Sequence, residues 1–219
     1  MLKPEVKAPE ILLRERSCLI INKPAGLPVH AGRAGGASVE DFFGGWRQGK
    51  NGPWLAHRLD QDTAGCLVIA LKKSFLLEVQ AMFAGGMVEK TYWAVVAGVP
   101  GAAAGVIEAP LTKRTQNRAW KMVVDQAGQS AVTAWRVLGS QGDISVIQFT
   151  PKTGRTHQIR AHAGHFGHPI LGDSVYGGRA GALQLLARSI ALPGEPGLQA
   201  TAPVPAHMRA AVEACGGAL

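Results

Sequence analysis

Cysteine is scarce in this chain: of 219 residues only Cys18, Cys66 and Cys215 carry a thiol. They are odd in number, far apart and never in CxxC spacing, which argues against a disulfide frame and against a thiolate zinc site. A reducing compartment, the cytoplasm, is therefore expected. Long apolar runs are lacking as well. The longest stretch without a charge, Thr91 to Ile107, is 17 residues and is broken by Gly98, Pro100, Gly101 and Gly105. A spanning helix needs about 20 apolar residues, so no membrane partner is expected. The opening MLKPEVKAPE has no apolar stretch that would make it a secretory signal. Charged residues make up only 17% against 47% hydrophobic ones, too apolar a balance for a disordered chain. The length is about one and a half usual domains, so a single compact domain over residues 1–219 is expected.

Acid is scarcest where base is densest. Between Ala109 and Gly172 stand Lys113, Arg114, Arg118, Lys121, Arg136, Lys152, Arg155 and Arg160, answered only by Asp125 and Asp143. Six of the chain's eight net positive charges thus fall in under a third of its length. A basic run is either a solvated face or a polyanion surface, the second because each neutralised phosphate releases condensed counterions. Composition alone leaves both open.

What the chain has in quantity is punctuation. Its 28 glycines and 13 prolines separate short apolar runs, the pattern of a loop-rich α+β fold rather than a helical bundle. Strand-like runs lie at Cys18 to Asn22, Cys66 to Leu71, Thr91 to Ala97, Trp120 to Asp125, Ala131 to Leu138, Ile144 to Thr150 and Leu183 to Leu192. The five residues from Gly139 to Asp143 suit a hairpin loop. Helical signals are fewer. Ser38 and Asp41 form a capping-box pattern, and Phe75, Leu76, Val79, Met82 and Phe83 recur at helical spacing within Lys73 to Ala84. Thr156 to Phe166 and a short segment after Pro205 complete the set. The expected fold is α+β, with a mixed, largely antiparallel central sheet flanked by helices and loops.

Two patterns fall short of the chemistry they suggest. Gly44, Gly49 and Lys50 match most of a phosphate-binding loop, but Asn51 offers no hydroxyl and Pro53 stands where a helix should open. His157, His162, His165 and His168 crowd twelve residues without HExxH or a thiolate pair, so a surface or nucleic-acid-facing group fits them better than a metal site. Two other segments are richer. In His57-Arg58-Leu59-Asp60 an extended backbone would point Leu55, His57 and Leu59 one way and Arg58 and Asp60 the other. A carboxylate beside an arginine, before a polar turn closed by Gly65, is either a site rim or a strand-end ion pair. Asp62 raises the thought of paired glycosidase acids, although nothing in the sequence sets their separation. In Lys152 to His162 a glycine turn delivers a helix start crowded with Arg155, His157, Gln158 and Arg160, and an acid from outside the segment must answer them.

At these residues the chain resembles the RluA-type pseudouridine synthases, over roughly Cys18 to Pro205. Ile21-Asn22-Lys23-Pro24-Ala25-Gly26-Leu27-Pro28-Val29-His30 is similar to that family's first motif, and His57-Arg58-Leu59-Asp60 with Thr63 and Gly65 to its signature. Glu89-Lys90-Thr91-Tyr92 resembles its KxY strand. Gly154 to Arg160, with Gly167, Pro169, Leu171-Gly172-Asp173 and Tyr176-Gly177, resembles its last motif. Ala64 departs from the usual serine and offers no hydroxyl there, and the final strand lacks the usual histidine-containing ending. No separate N-terminal RNA-binding domain is expected, so target selection would fall to the catalytic domain itself.

The resemblance implies a pseudouridine synthase catalytic fold and isomerisation of uridines in structured ribosomal or transfer RNA. That rearrangement has no net redox change and loses no group, so no cofactor is expected, nor a metal; a monomer is the default expectation, which the sequence does not decide. The resemblance also implies Asp60 as the essential carboxylate, by covalent attack or by removal of a sugar proton. Arg160, or Arg155 in its place, would keep that carboxylate ionised. Tyr92 would stack on the flipped base and Arg58 fill the gap left in the RNA. His57, Thr63, Arg155, His157 and the segment Lys113, Arg114, Arg118, Lys121 would meet RNA, with Trp120 interleaved to stack a base. A catalytically silent RNA-binding or ribosome-assembly protein on the same scaffold is the rival from another class, and a nucleoside or glycoside hydrolase is a third reading.

Overall fold

The computed structural model describes residues 7–32, 35–116, 119–177, 180–194 and 197–217. The chain groups into two compact units, Met1–Glu89 with Ala187–Pro203, and Lys90–Leu186 with Val204–Leu219.

The first unit is organised by two strands, β2 (Cys18–Lys23) and β4 (Ala64–Ala70), paired antiparallel from Cys18↔Ala70 to Lys23↔Gly65. Leu19, Ile20 and Ile21 of one and Leu67, Val68 and Ile69 of the other are fully buried, each contributing on the order of 1.5–3 kcal/mol. Around them β1 (Glu10–Arg14) pairs with β2 and β3 (Trp54–Leu55) with β4. β11 (Leu185–Leu192, from Ala187 onward in this unit) runs beside β4, and β12 (Leu198–Thr201) pairs with β11. Asp41 accepts the Ser38 N–H at 2.8 Å, the expected cap, and opens a 3-10 turn, Val39–Phe42, that leads into α1 (Phe43–Trp46). Gly44 and Gly45 lie inside that helix, which removes the phosphate-loop reading. α2 (Lys73–Ala84) has the expected bounds, buries Phe75, Leu76 and Val79, and is followed by Gly86 at φ +68°.

The second unit carries β5 (Glu89–Ala97), β6 (Ala104–Glu108), β9 (Val132–Gln141) and β10 (Ile144–Pro151) in the antiparallel order β5-β10-β9-β6. Ala94, Val96, Ile147, Phe149 and Ile170 are fully buried at its centre. The expected α+β class with a largely antiparallel sheet is thus observed. The β9–β10 turn is tighter than expected. Gln141 pairs directly with Ile144, leaving Gly142 at φ +58° and Asp143 as the loop. Gly139 is a strand residue, required because a Cβ there would collide with the Cys215 carbonyl oxygen. A separate two-stranded hairpin, β7 (Leu111–Gln116) and β8 (Ala119–Val124), stands outside this sheet. Two helices, α3 (Gln158–His165) and α4 (Ala206–Ala214), complete the unit.

All three thiols are buried. Burial pushes Cys18 and Cys66 up to about 11, and raises Cys215 as well. Among the described residues no helix is long and apolar enough to cross a membrane.

Candidate active site and RNA-contacting surface

Asp60 ends the segment that leaves β3. Only Trp54 and Leu55 of that segment are strand, because beyond them the chain bends into a turn in which the Thr63 N–H reaches the Asp60 carbonyl at 3.2 Å. Leu59 is buried, Asp60 half-buried and Arg58 exposed. His57 is turned inward: its Nε2 accepts the Val68 N–H at 3.0 Å and its ring lies 4.8 Å from that of Phe83. Thr63, expected at the RNA surface, is 3% exposed. The burial of its side chain makes it a part of the loop's support instead. An open cavity of about 470 Å³ borders this segment, lined among others by His30, Glu40, Trp54, His57, Arg58 and Gln80.

The backbone under Asp60 is fixed by Lys23, the last residue of β2. Lys23 is fully buried. Its Nζ donates to the carbonyls of Pro24 at 2.9 Å, Leu27 at 2.7 Å and Gln61 at 2.8 Å, which uses all three of its protons. Gln61, between Asp60 and Asp62, also accepts the Gly26 N–H at 3.0 Å and returns its side-chain amide to the Gly26 carbonyl at 3.2 Å. Burial lowers Lys23 from 10.5 to about 8, opposed by the negative charges of Asp62 and Asp60. The first motif and the aspartate loop are therefore one stitched structure. The Lys23↔Gly65 register pair, where β2 ends and β4 begins, brings the two together.

In the second unit the start of α3 is pinned by Gln158. Its Oε1 accepts from the Arg155 N–H at 2.9 Å and the Thr153 hydroxyl at 2.8 Å, and its Nε2 donates to the Val132 carbonyl and the Thr133 hydroxyl. Arg155 is exposed and donates to the Ser130 carbonyl at 3.0 Å. Arg160 is buried, and its Nε and Nη2 lie on the two oxygens of Asp173. The acid outside the segment that must answer these cations is Asp173, a residue of the last motif to which the sequence alone gave no role. Burial opposes ionisation of Asp173, but bonds from Arg160, its charge, and the Val175 and Tyr176 N–H groups together hold the carboxyl below its ordinary value.

The histidine group divides. His162 is fully buried between the Thr133 hydroxyl and the Ala109 carbonyl, each at 2.9 Å, and burial lowers its pKa. It is a core tie, not a surface residue. His168 lies on the Ala97 carbonyl at 2.9 Å. His157, half-buried, caps α3 at φ 51°. Tyr92 is half-buried on β5, opposite Phe149, and packs on the unit's core. Lys113, Arg114 and Lys121 are exposed on the β7–β8 hairpin with Trp120 between them, and Arg114 meets Asp125 at 3.2 Å. Arg118 lies outside the described residues.

Each unit thus presents one feature of its own: an aspartate on a braced loop in the first, and an exposed basic hairpin around a tryptophan in the second. The family model described as RNA pseudouridylate synthase matches residues 17–165. An uncharacterized RNA pseudouridine synthase of Zymomonas mobilis is 41% identical over 175 residues, 78% of this chain and 80% of the relative. Ribosomal large subunit pseudouridine synthase C of Buchnera aphidicola is 37% identical over 170 residues, 77% of this chain, which spans 54% of that relative's length. Among solved structures, human RNA pseudouridylate synthase domain containing 4 superposes with a TM-score of 0.81 at 28% identity, covering 94% of this chain and 93% of the human one. The chain belongs to the RNA pseudouridylate synthase family, the enzymes that isomerise uridine within RNA. The matched stretch ends before Asp173, the partner of Arg160.

Proposed function

We propose that this chain converts uridine to pseudouridine in structured RNA, with Asp60 as the essential carboxylate. The names of the Buchnera and other relatives favour large-subunit ribosomal RNA as the substrate. The observation that carries the reading is the Asp60 loop itself, matched by the family and braced by a buried ammonium. The reaction breaks the C–N glycosidic bond, turns the detached uracil and rejoins it through C5, whose hydrogen leaves as a proton. Nothing is oxidised and no group is lost, so no cofactor is needed.

Both ways in which a carboxylate can begin this reaction, attack on the sugar or removal of a sugar proton, need it ionised. Arg160, buried where Arg155 is exposed, is the cation assigned to that task. Tyr92 is assigned to the face of the flipped base, where stacking tolerates rotation of the ring in its plane. Arg58, exposed at the mouth of the cavity, replaces the extruded nucleotide in the RNA stack and offsets an unstacking cost of a few kcal/mol. The hairpin cations and Arg155 hold phosphates. The protein is read as a monomer working in the cytoplasm.

RNA tritiated at uracil C5 tests the reading. Wild-type protein should release tritium, and Asp60→Ala should abolish release while keeping the fold and the RNA affinity. Turnover persisting in that variant would overturn the assignment. Free uracil as product would instead make the protein a hydrolase, and binding without release would make it the silent scaffold.

A further inference from the structure

His157 is the one non-glycine residue among those described that holds a left-handed backbone, at φ 51° and ψ 19°. Such a conformation costs on the order of 1–3 kcal/mol and persists only where its surroundings dictate it. Here they grip the imidazole from several sides. The Trp120 ring stacks on it, with centroids 4.9 Å apart and planes at 29°. The Tyr176 hydroxyl lies 3.2 Å from Nδ1, and the Arg160 Nη1 lies 3.2 Å from Nε2.

The proton positions follow from the partners. A guanidinium only donates, so Nε2 accepts from Arg160 and carries a lone pair. The neutral ring then bears its proton on Nδ1 and gives it to the Tyr176 oxygen. That oxygen also accepts the Met122 N–H at 3.0 Å. A continuous chain therefore links β8 to Arg160: donation runs from Arg160 through His157 to the Tyr176 oxygen, where the Met122 N–H also donates. Trp120, two residues before Met122 on the same strand face, closes a second path through the stack.

The hairpin that supplies both paths is a two-stranded sheet of its own, and such ribbons are marginal without packing. It rests on the main unit through Leu111 and Met122, which pack with Ala131, Ala161 and Tyr176. Its exposed side chains include three cations: Lys113, which also sits 4.7 Å over the Trp120 ring, with Arg114 and Lys121. A polyanion bound there would settle the ribbon, and whatever settles the ribbon settles His157.

We propose that Trp120 is a positioning residue for Arg160: RNA phosphates held on the β7–β8 hairpin fix the Arg160 guanidinium through the Trp120–His157 stack. The inference rests on the pseudouridine synthase reading and adds to it a link between substrate binding and the catalytic cation. Trp120 acts through His157 and needs no contact with the reacting nucleotide.

The test is single-turnover tritium release with the full chain at saturating enzyme. Trp120→Ala keeps every cation, so RNA affinity should stay within about twofold of wild type, while the rate constant drops by about 10- to 100-fold through loss of alignment. Trp120→Phe should restore most of it. His157→Asn keeps a side chain tolerant of the left-handed backbone and should match the loss. The double variant should be no slower than either single one, since both cut the same chain.

A Trp120→Ala protein with weakened affinity and a wild-type saturating rate would overturn the inference, because Trp120 would then be a base-stacking group alone. Fully multiplicative losses in the double variant would overturn it too. Should Trp120→Ala fail to fold, the Phe and Asn variants carry the comparison. Absence of tritium release from the wild type would refute the isomerase reading itself, an outcome distinct from either of these.

Discussion

Arg160 sets its Nε and Nη2 against the two carboxylate oxygens of Asp173, at 2.7 and 2.9 Å, with the side chains 9% and 0% exposed. Breaking a buried pair from one side strands the other charge, which costs on the order of 3–5 kcal/mol. Asp173→Asn should therefore shift the urea midpoint strongly. A destabilisation below about 1 kcal/mol, the range of ordinary substitutions, would show that water relieves the guanidinium.

The same carboxylate gives an acid limb to stability. Its folded pKa lies below the ordinary 3.8, so the unfolded chain takes up the proton first. The contribution is complete above the ordinary value and disappears as pH falls through the lower, folded one. Urea midpoints of the wild type should drop on acidification below about pH 4, and the Asp173→Asn protein should lack that part of the slope.

Lys23 acts with the same sign at the alkaline end of the scale. Between about 8 and 10.5 the unfolded chain holds a proton that the folded chain has shed, so this group's contribution to stability rises with pH over that window. Activity should fall across it, because a neutral amine has two protons for three carbonyls and the loop carrying Asp60 loosens. Urea unfolding and tritium release measured side by side on the alkaline limb test the pair. If Lys23→Met shows the same alkaline fall in turnover as the wild type, another group is responsible.

Removing Lys113 and Arg114 should weaken RNA binding and flatten its salt dependence. Each phosphate left without its cation lowers the log–log slope by roughly 0.7–0.9. Filter binding across a salt series reads the slope directly, and an unchanged one would show that these side chains face away from RNA.

Gly65 carries φ +111°, and a Cβ there would meet the Ala187 carbonyl oxygen. Gly65→Ala should therefore destabilise the protein by about 1–3 kcal/mol or more, measurable as a lowered melting temperature. A neutral result would mean that β11 yields to the methyl group.

Much of this architecture was legible in residue patterns. β2, β4 and α2 are long apolar signals, and α2 has the bounds that its periodicity marked, Lys73–Ala84. β7 was not legible: its sequence, LTKRTQ, is polar because five of its six residues face solvent wholly or in part. β1, β6 and β12 are short edge segments with half-exposed patterns, so alternation had little to display. At the site, motif likeness singled out Asp60 and Arg160, but the partners that hold them escaped. A buried Lys23 looks like any lysine after a strand, and Asp173 stands thirteen residues beyond Arg160. Local spacing cannot show either tie, since each depends on chain reversals that pack distant segments together.

The concealment of Cys18, Cys66 and Cys215, with their thiols held protonated by burial, makes the protein nearly invisible to maleimides and mild oxidants at neutral pH. One cysteine introduced at an open position, such as Leu77 at 58% exposure, would then take a fluorophore alone. Encounters with RNA could be followed by dye intensity on the unaltered native thiols, with no cysteine-free background to prepare first.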